Sequence, residues 1–365
     1  MRNDWTKIQS ESIDWLRPVM AFMVICLHIQ LFYVGKQWSV HDGLFDVFVI
    51  CLCKIICPVA VPTFFFISGY LFFKGLEDWE TGVWKHKMIK RIRTLLVPFV
   101  LWNLIALIAF PITRYAGSVL KGVPMDNLID LVRDRGLLRL FWDKTLFDGS
   151  HGQPMDTPMW FVRDLMVVVI FTPAIHWLLK KTGIVLVAIL AALFLANIWI
   201  PVPGFGIKAT FFFTWGAFYS IKRLNFVECF RKIRIPAVIL FSAGLILMPF
   251  LWENDLVYFN PVLRLFITVE LVFCFNTVST LMAKSKIRIN DRLIKSSFFI
   301  YCSHMVIIAS AVMWLVMLPH FNSGAICSIQ FIAGAVLTFF ICHYIFVFLD
   351  YICPSVTALL TGGRH

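Results

Sequence analysis

Charge is scarce in this chain. Only 15% of its 365 residues are Asp, Glu, Lys or Arg, against about 25% in a soluble globular protein. The polar content is also too low for the chain to stay unfolded in water, and no collagen-like or heptad repeat runs through it. Metal-site spacing is missing. Cys51, Cys53 and Cys57 have no zinc-type spacing and no nearby histidine, so no metal is expected and the ten cysteines read as small buried hydrophobes. A cleavable signal layout is missing too: the first apolar run continues beyond an h-region of about 7–15 residues without a small-residue cleavage site, so it reads as a retained anchor.

What is there is apolar. Hydrophobic residues make up 60% of the chain and aromatics 16%, with a mean hydropathy of +0.82. Windows at roughly 13–34, 45–73, 94–112, 158–179, 183–200, 206–221, 235–252, 258–282, 296–318 and 324–351 approach the about 20 apolar residues of a transmembrane helix. They are too long and too evenly apolar for the roughly 10-residue alternating strands of a barrel. The expected fold is therefore all-α: a single polytopic membrane domain over 1–365 with about ten transmembrane helices.

The net charge of +12 suggests nucleic acid, but its placement argues against that partner. Lys and Arg gather in alternate connections: Lys74 to Arg93, Lys180–Lys181, Lys222 to Arg234, and Lys284 to Lys295. The connections at 201–205, 253–257 and 319–323 have none. By the positive-inside rule both termini are expected on the cytoplasmic side of a bacterial inner membrane, in a multi-pass arrangement.

One long polar stretch, 113–157, falls on the outer side. From Asp126 to Phe147 its apolar spacing suits a surface helix broken at Gly136, followed by a turn-rich run from Asp148 to Pro154. It reads either as a connection or as a lid. With no soluble catalytic segment visible, any chemistry is expected within the membrane part.

Ionisable groups inside apolar windows are costly, about 2.5–3.5 kcal/mol for Arg, Lys or Asp at a helix centre, so each is a candidate for function. They are Arg17, His28, Lys54, Arg163, Asp164, Lys208, Arg264, Glu270, His304, His343 and Asp350. The cationic surplus suits an anionic ligand. On the first helix, eleven residues separate Arg17 from His28, which puts both on one face about 16 Å apart. A basic group at the cytoplasmic end and an imidazole in the outer half fit an acyl coenzyme A, with phosphates at one end and a thioester at the other. A neutral imidazole is also a suitable base for a sugar hydroxyl. Taken alone, a single helical histidine such as His28 reads more often as a hydrogen-bonded packing residue than as a base.

Several segments resemble the acyltransferase family 3 membrane proteins, in the family's order from residue 13 to 304. Asp14-Trp15-Leu16-Arg17 followed by His28 is similar to the opening Arg, ten residues, His hallmark. The segment Val61-Pro62-Thr63-Phe64-Phe65-Phe66-Ile67-Ser68-Gly69-Tyr70-Leu71 resembles the second-helix motif. Lys90-Arg91-Ile92-Arg93 with Leu95-Leu96-Val97-Pro98-Phe99 and Trp102-Asn103 resembles the basic start of the third. Trp160-Phe161-Val162-Arg163-Asp164-Leu165 and Phe298-Phe299-Ile300-Tyr301-Cys302-Ser303-His304 resemble later motifs. The resemblance implies a membrane enzyme that passes an acyl group, usually acetyl, from cytoplasmic acyl-CoA to a hydroxyl of an envelope glycan or lipid-linked sugar. It makes His28 the catalytic histidine and Arg17 its companion. The family's Arg-x-x-Arg pair is Lys90-x-x-Arg93 here, with Arg91 alongside, and lysine lacks the guanidinium fork.

On this reading Lys90, Arg91, Arg93, Ser68 and Tyr70 are donor-side candidates, Ser68-Gly69-Tyr70 reading equally as a close helix contact. Trp160, Arg163, Asp164, Glu270, Tyr301 and His304 are candidates for the acceptor side or chamber wall. Arg163 and Asp164 read equally as buried ion-pair partners. Ser297, Tyr301 and His304 form one polar stripe at i, i+4, i+7. Glu270 is expected to pair with a cation on another helix. Acyl-CoA is the expected donor substrate, with no tightly bound cofactor, and membrane lipids surround the domain. The alternative class is a transporter or flippase of a polysaccharide or lipid-linked sugar.

Overall fold

The computed structural model describes residues 4–33, 43–121, 128–143, 152–200, 202–254, 256–284, 287, 290–318 and 323–363. Residues 148–151 of the turn-rich run, Lys286 and Arg288 of the last basic connection, Pro201, Asp255 and residues 319–322 lie outside them. Among the described residues every regular element is helical and no strand occurs, as expected. The reason is the solvent. In hydrocarbon each backbone N–H and C=O must be satisfied within its own segment, and long apolar runs achieve that as helices.

The chain opens with α1 (Trp5–Ile29). Helix α2 (Gly43–Val49) runs through a π-helical segment (Ile50–Ile56) and a short 3-10 turn (Cys57–Val59) into α3 (Ala60–Phe73). The winding changes where Pro58 removes an N–H, which is the disturbance its sequence position predicts. Helix α4 (Thr81–Arg91) passes through a second π-helical segment (Ile92–Leu96) into α5 (Val97–Lys121). This helix continues past Pro111 to Lys121, well beyond the window ending near 112, so residues 113–121 of the expected outer stretch belong to it. A proline does not end a membrane helix when its neighbours re-satisfy the freed carbonyl. The expected broken helix is there as α6 (Leu128–Arg135) and α7 (Leu137–Trp142). Its break is Gly136, at a φ of +77° that favours glycine.

Helices α8 (Trp160–Ile170) and α9 (Thr172–Thr182) meet at 63°, with Pro173 in the first turn of α9. There follow α10 (Ile184–Ala196), α11 (Ile207–Ile221), α12 (Phe226–Lys232), α13 (Arg234–Asn254) and α14 (Leu256–Ala283). Helix α15 (Asp291–Ser303) leads through a third π-helical segment (His304–Ile308) into α16 (Ala309–Met317). Helices α17 (Gly324–Ile352) and α18 (Pro354–Thr361) complete the order. Among the described residues 7 helical runs are long and apolar enough to cross a membrane, or 8 if α8 and α9 form one broken span. The windows at 183–200 and 206–221 fold as α10 and α11, of 13 and 15 residues. At about 1.5 Å per residue they fall short of the about 30 Å hydrocarbon core.

The helices divide into two compact units: Met1–Met20, Pro58–Arg91 and Asp164–Ile294 in one; Ala21–Cys57, Ile92–Arg163 and Lys295–His365 in the other. In the first unit α3 lies directly against α11. A Cβ on Gly69 would meet the backbone carbonyl of Phe213, and one on Gly216 would meet that of Phe66. Two glycines at one crossing thus let the backbones touch. Beside it Phe66, Phe226, Phe230 and Phe275 form an aromatic cluster. Gln9 anchors α1 there. Its Nε2 donates to the Tyr70 hydroxyl at 2.5 Å, and its Oε1 accepts from the Phe226 N–H at 2.9 Å. In the second unit Phe22 meets Phe339 edge to face, and Trp102 Nε1 donates to the Leu360 carbonyl at 3.0 Å, tying α18 to α5.

Candidate active site

His28 sits at the C-terminal end of α1 and is half-buried, while His304 opens the third π-helical segment and is fully buried. Both belong to the second unit, and their ring centroids are 5.3 Å apart with planes inclined by 49°. The Nδ1 of His304 lies 3.2 Å from the Ile300 carbonyl oxygen. A carbonyl only accepts, so Nδ1 carries the hydrogen, and Nε2 of the neutral ring presents a lone pair. Among the described residues that Nε2 has no hydrogen-bond partner. Tyr301 donates its hydroxyl to the Pro158 carbonyl and sets its ring edge-on to Phe161 at 5.8 Å. The stripe of Ser297, Tyr301 and His304 is therefore buried, with its last member facing His28.

Arg17, on the same helix as His28, belongs to the first unit and is bridged to Asp14 at 2.9 Å, so the Asp14 to Arg17 spacing of the opening motif is an i, i+3 ion pair. On the basic segment Lys90 and Arg93 are exposed. Arg91 is half-buried over the Phe72 ring at 5.6 Å, and Lys87 donates to the Phe72 and Lys74 carbonyls at 2.9 and 2.7 Å. The exposed pair is thus Lys90 and Arg93, with Arg91 turned to packing. Ser68 and Tyr70 are half-buried beside the Gly69 crossing, with the Tyr70 hydroxyl engaged by Gln9.

Arg163 and Asp164 are adjacent on α8 but do different work. Arg163 is fully buried in the second unit. Its Nη1 donates to the carbonyls of Trp142 and Gly152, each at 2.7 Å, and the guanidinium lies 5.6 Å from the Trp142 ring. It therefore ties the end of α7 and Gly152 to α8. Asp164, in the first unit, lies beside Gly206 and within electrostatic reach of Lys208, which Arg264 also approaches. Arg264 itself donates to the Leu195 carbonyl at 3.1 Å, near the end of α10. Trp160 is half-buried at the start of α8.

Glu270 departs from expectation. It is buried at 1% exposure, and among the described residues no cation forms an ion pair with it; its Oε2 has no hydrogen-bond partner. The cation expected from another helix is not found among the described residues, and Arg264 of the same helix donates to the Leu195 carbonyl, since residues six apart on a helix point in different directions. The sequence placed Asn103 in the third-helix motif without a role; its Oδ1 accepts from the Asp156 N–H at 2.9 Å while its Nδ2 donates to the Phe99 carbonyl at 2.8 Å. A lone asparagine in an apolar window was the available signal.

The acyltransferase domain family matches residues 10–349. Over 97% of this chain and 92% of its own length, a succinoglycan biosynthesis protein of Rhizobium meliloti is 24% identical. The serine/alanine racemase of Enterococcus gallinarum is 27% identical over 136 residues, covering 37% of this chain and 18% of that protein. No solved structure matches. The arrangement of an imidazole facing a second imidazole in a membrane-embedded helical unit is thus found in a chain whose nearly full length answers to one family, and the protein belongs to the acyltransferase domain family resembled by its motifs.

Proposed function

We propose that this protein is a membrane O-acetyltransferase that carries the acetyl group of cytoplasmic acetyl-CoA to a hydroxyl of an envelope or surface carbohydrate in the bacterial inner membrane. The observation that carries the reading is His28, half-buried at the end of an apolar helix, with its ring 5.3 Å from that of the buried His304. The family membership supports the reaction class. The full-length likeness to a protein of succinoglycan biosynthesis supports a carbohydrate acceptor.

In this mechanism the exposed cations Lys90 and Arg93 hold the CoA phosphates as point charge and fork, and Arg17 is the companion of His28 on α1. His28 takes the hydroxyl proton as the oxygen bonds to the thioester carbonyl carbon. The C–S bond breaks, and the thiolate leaves and is reprotonated as free CoA. Alternate placement of the basic connections supports cytoplasmic termini. The broken pair α8 and α9 suits a second reading, a flippase of a lipid-linked sugar. Mass spectrometry of envelope glycans from cells with and without the gene separates the two. The transferase removes alkali-labile esters at constant polymer amount when deleted; a fall in polymer with unchanged ester density overturns it.

A further inference from the structure

The fold dictates the tautomer of His304. The Ile300 carbonyl takes its Nδ1–H, the ring is fully buried, and Nε2 has no hydrogen-bond partner among the described residues. Leaving a buried acceptor unpaired is costly, so its retention calls for a donor that arrives. The nearest described ring is His28 at 5.3 Å between centroids. Each ring nitrogen stands about 1.2 Å from its centroid, so a modest rotation brings two nitrogens to the about 2.9 Å of an N–H···N bond. Catalytic hydrogen bonds are often long without substrate and tighten with it. His304 also sits where the helix changes to π-type winding, a feature frequent at functional sites.

Resting on the acyl-transfer reading, we propose that His304 is the positioning residue of His28, receiving the His28 N–H on Nε2 during transfer. This bond fixes the tautomer of His28, so that its other nitrogen presents a lone pair to the acceptor hydroxyl. When that nitrogen takes the hydroxyl proton, the opposite N–H is shared with or passed to His304 Nε2. The acceptor oxygen bonds to the acyl carbon, the C–S bond breaks, and the proton returns through His28 to the leaving thiolate. Atoms and charge balance without another reactant.

The test uses the full-length protein in its own membrane. Cells carrying wild type, His28→Ala, His304→Phe or His304→Gln are compared for the initial rate of alkali-labile ester formation on envelope glycans, with the amount of monodisperse protein extracted. His304→Phe keeps a ring but no acceptor, and its rate falls at least about 100-fold. His304→Gln, whose Oε1 accepts the same N–H, recovers at least about tenfold over His304→Phe, a rescue that a packing role does not give. A His304→Phe rate within about threefold of wild type, or His304→Gln as inactive as His304→Phe at normal protein levels, overturns the proposal. Should neither variant accumulate, 15N NMR of the wild-type ring decides: a protonated Nδ1 and bare Nε2 are expected, and the opposite tautomer overturns it. Undiminished ester formation in His28→Ala instead overturns the acyl-transfer reading itself.

Discussion

The imidazoles of His28 and His304 face each other at 5.3 Å between centroids although 276 positions separate them in the chain. Removing the half-buried member leaves little unfilled volume, so His28→Ala is expected to accumulate in the membrane like wild type. Its acyl transfer should drop by at least about 100-fold. Quantitative immunoblotting alongside ester release by mild alkali measures both halves of this expectation.

Donor affinity should follow the exposed cations. Because Lys90 and Arg93 are open while Arg91 lies over Phe72, Lys90→Ala with Arg93→Ala is expected to weaken acetyl-CoA binding about tenfold or more. Arg91→Ala should act mainly through lost packing. Radiolabelled acetyl-CoA titrated into purified proteoliposomes distinguishes these effects, and equal affinities in all variants would place the donor elsewhere.

The crossing of α3 and α11 leaves no room for a methyl group at Gly69 or Gly216. Each obstructing atom belongs to a backbone carbonyl, which cannot swing aside as a side chain would. Gly69→Ala and Gly216→Ala should each destabilise by about 1–3 kcal/mol, the range for overpacking. A detergent unfolding midpoint unchanged from wild type would contradict the close approach.

Arg163 holds the carbonyls of Trp142 and Gly152. A hydrogen bond to a charged donor contributes roughly 1.5–3 kcal/mol, and loss of the side chain leaves both buried acceptors exposed to the deficit. Arg163→Ala should therefore lower the thermal midpoint strongly. Arg163→Lys should restore part of it, since both carbonyls bond the one Nη1, and an ammonium keeps the charge and its donors on a shorter side chain without the planar guanidinium. Differential scanning fluorimetry in detergent reads the order of the three proteins.

Between α3 and α4, Asp78 bonds Lys180 at 2.9 Å and Arg223 at 2.7 Å. The Lys180 hydrogen bond and charge, followed by the Arg223 charge, hold its carboxyl below the ordinary 3.8. A group whose folded value is depressed stabilises the fold above its unfolded value, and loses that contribution as pH falls through the folded one. The pairs are exposed, so the effect is small and screened by salt. Wild type should lose a slight advantage over Asp78→Asn as the pH drops below about 4. Midpoints of the two proteins that run parallel through that range would refute the assignment.

The family motifs were legible in the chain as short local patterns, and Arg17 and His28 lie on one helix whose spacing is fixed by helix geometry, whereas Lys90 and Arg93 fall either side of the change from α4 to a π-helical segment. Glu270 marks the limit of that reading: a mid-window acid signals cost, but its partner must come from another helix, and none of the described residues supplies a cation.

By itself the sequence determined that the chain is helical and lives in lipid, since apolar length and the need to satisfy backbone groups act locally. It also determined the residue types available for chemistry. Only the tertiary structure decided that His304 answers His28, that Arg163 secures Trp142 and Gly152, and that Gly69 meets Phe213. Those relationships depend on which helix faces which, and hydropathy is blind to that because lipid and a neighbouring helix are almost equally apolar.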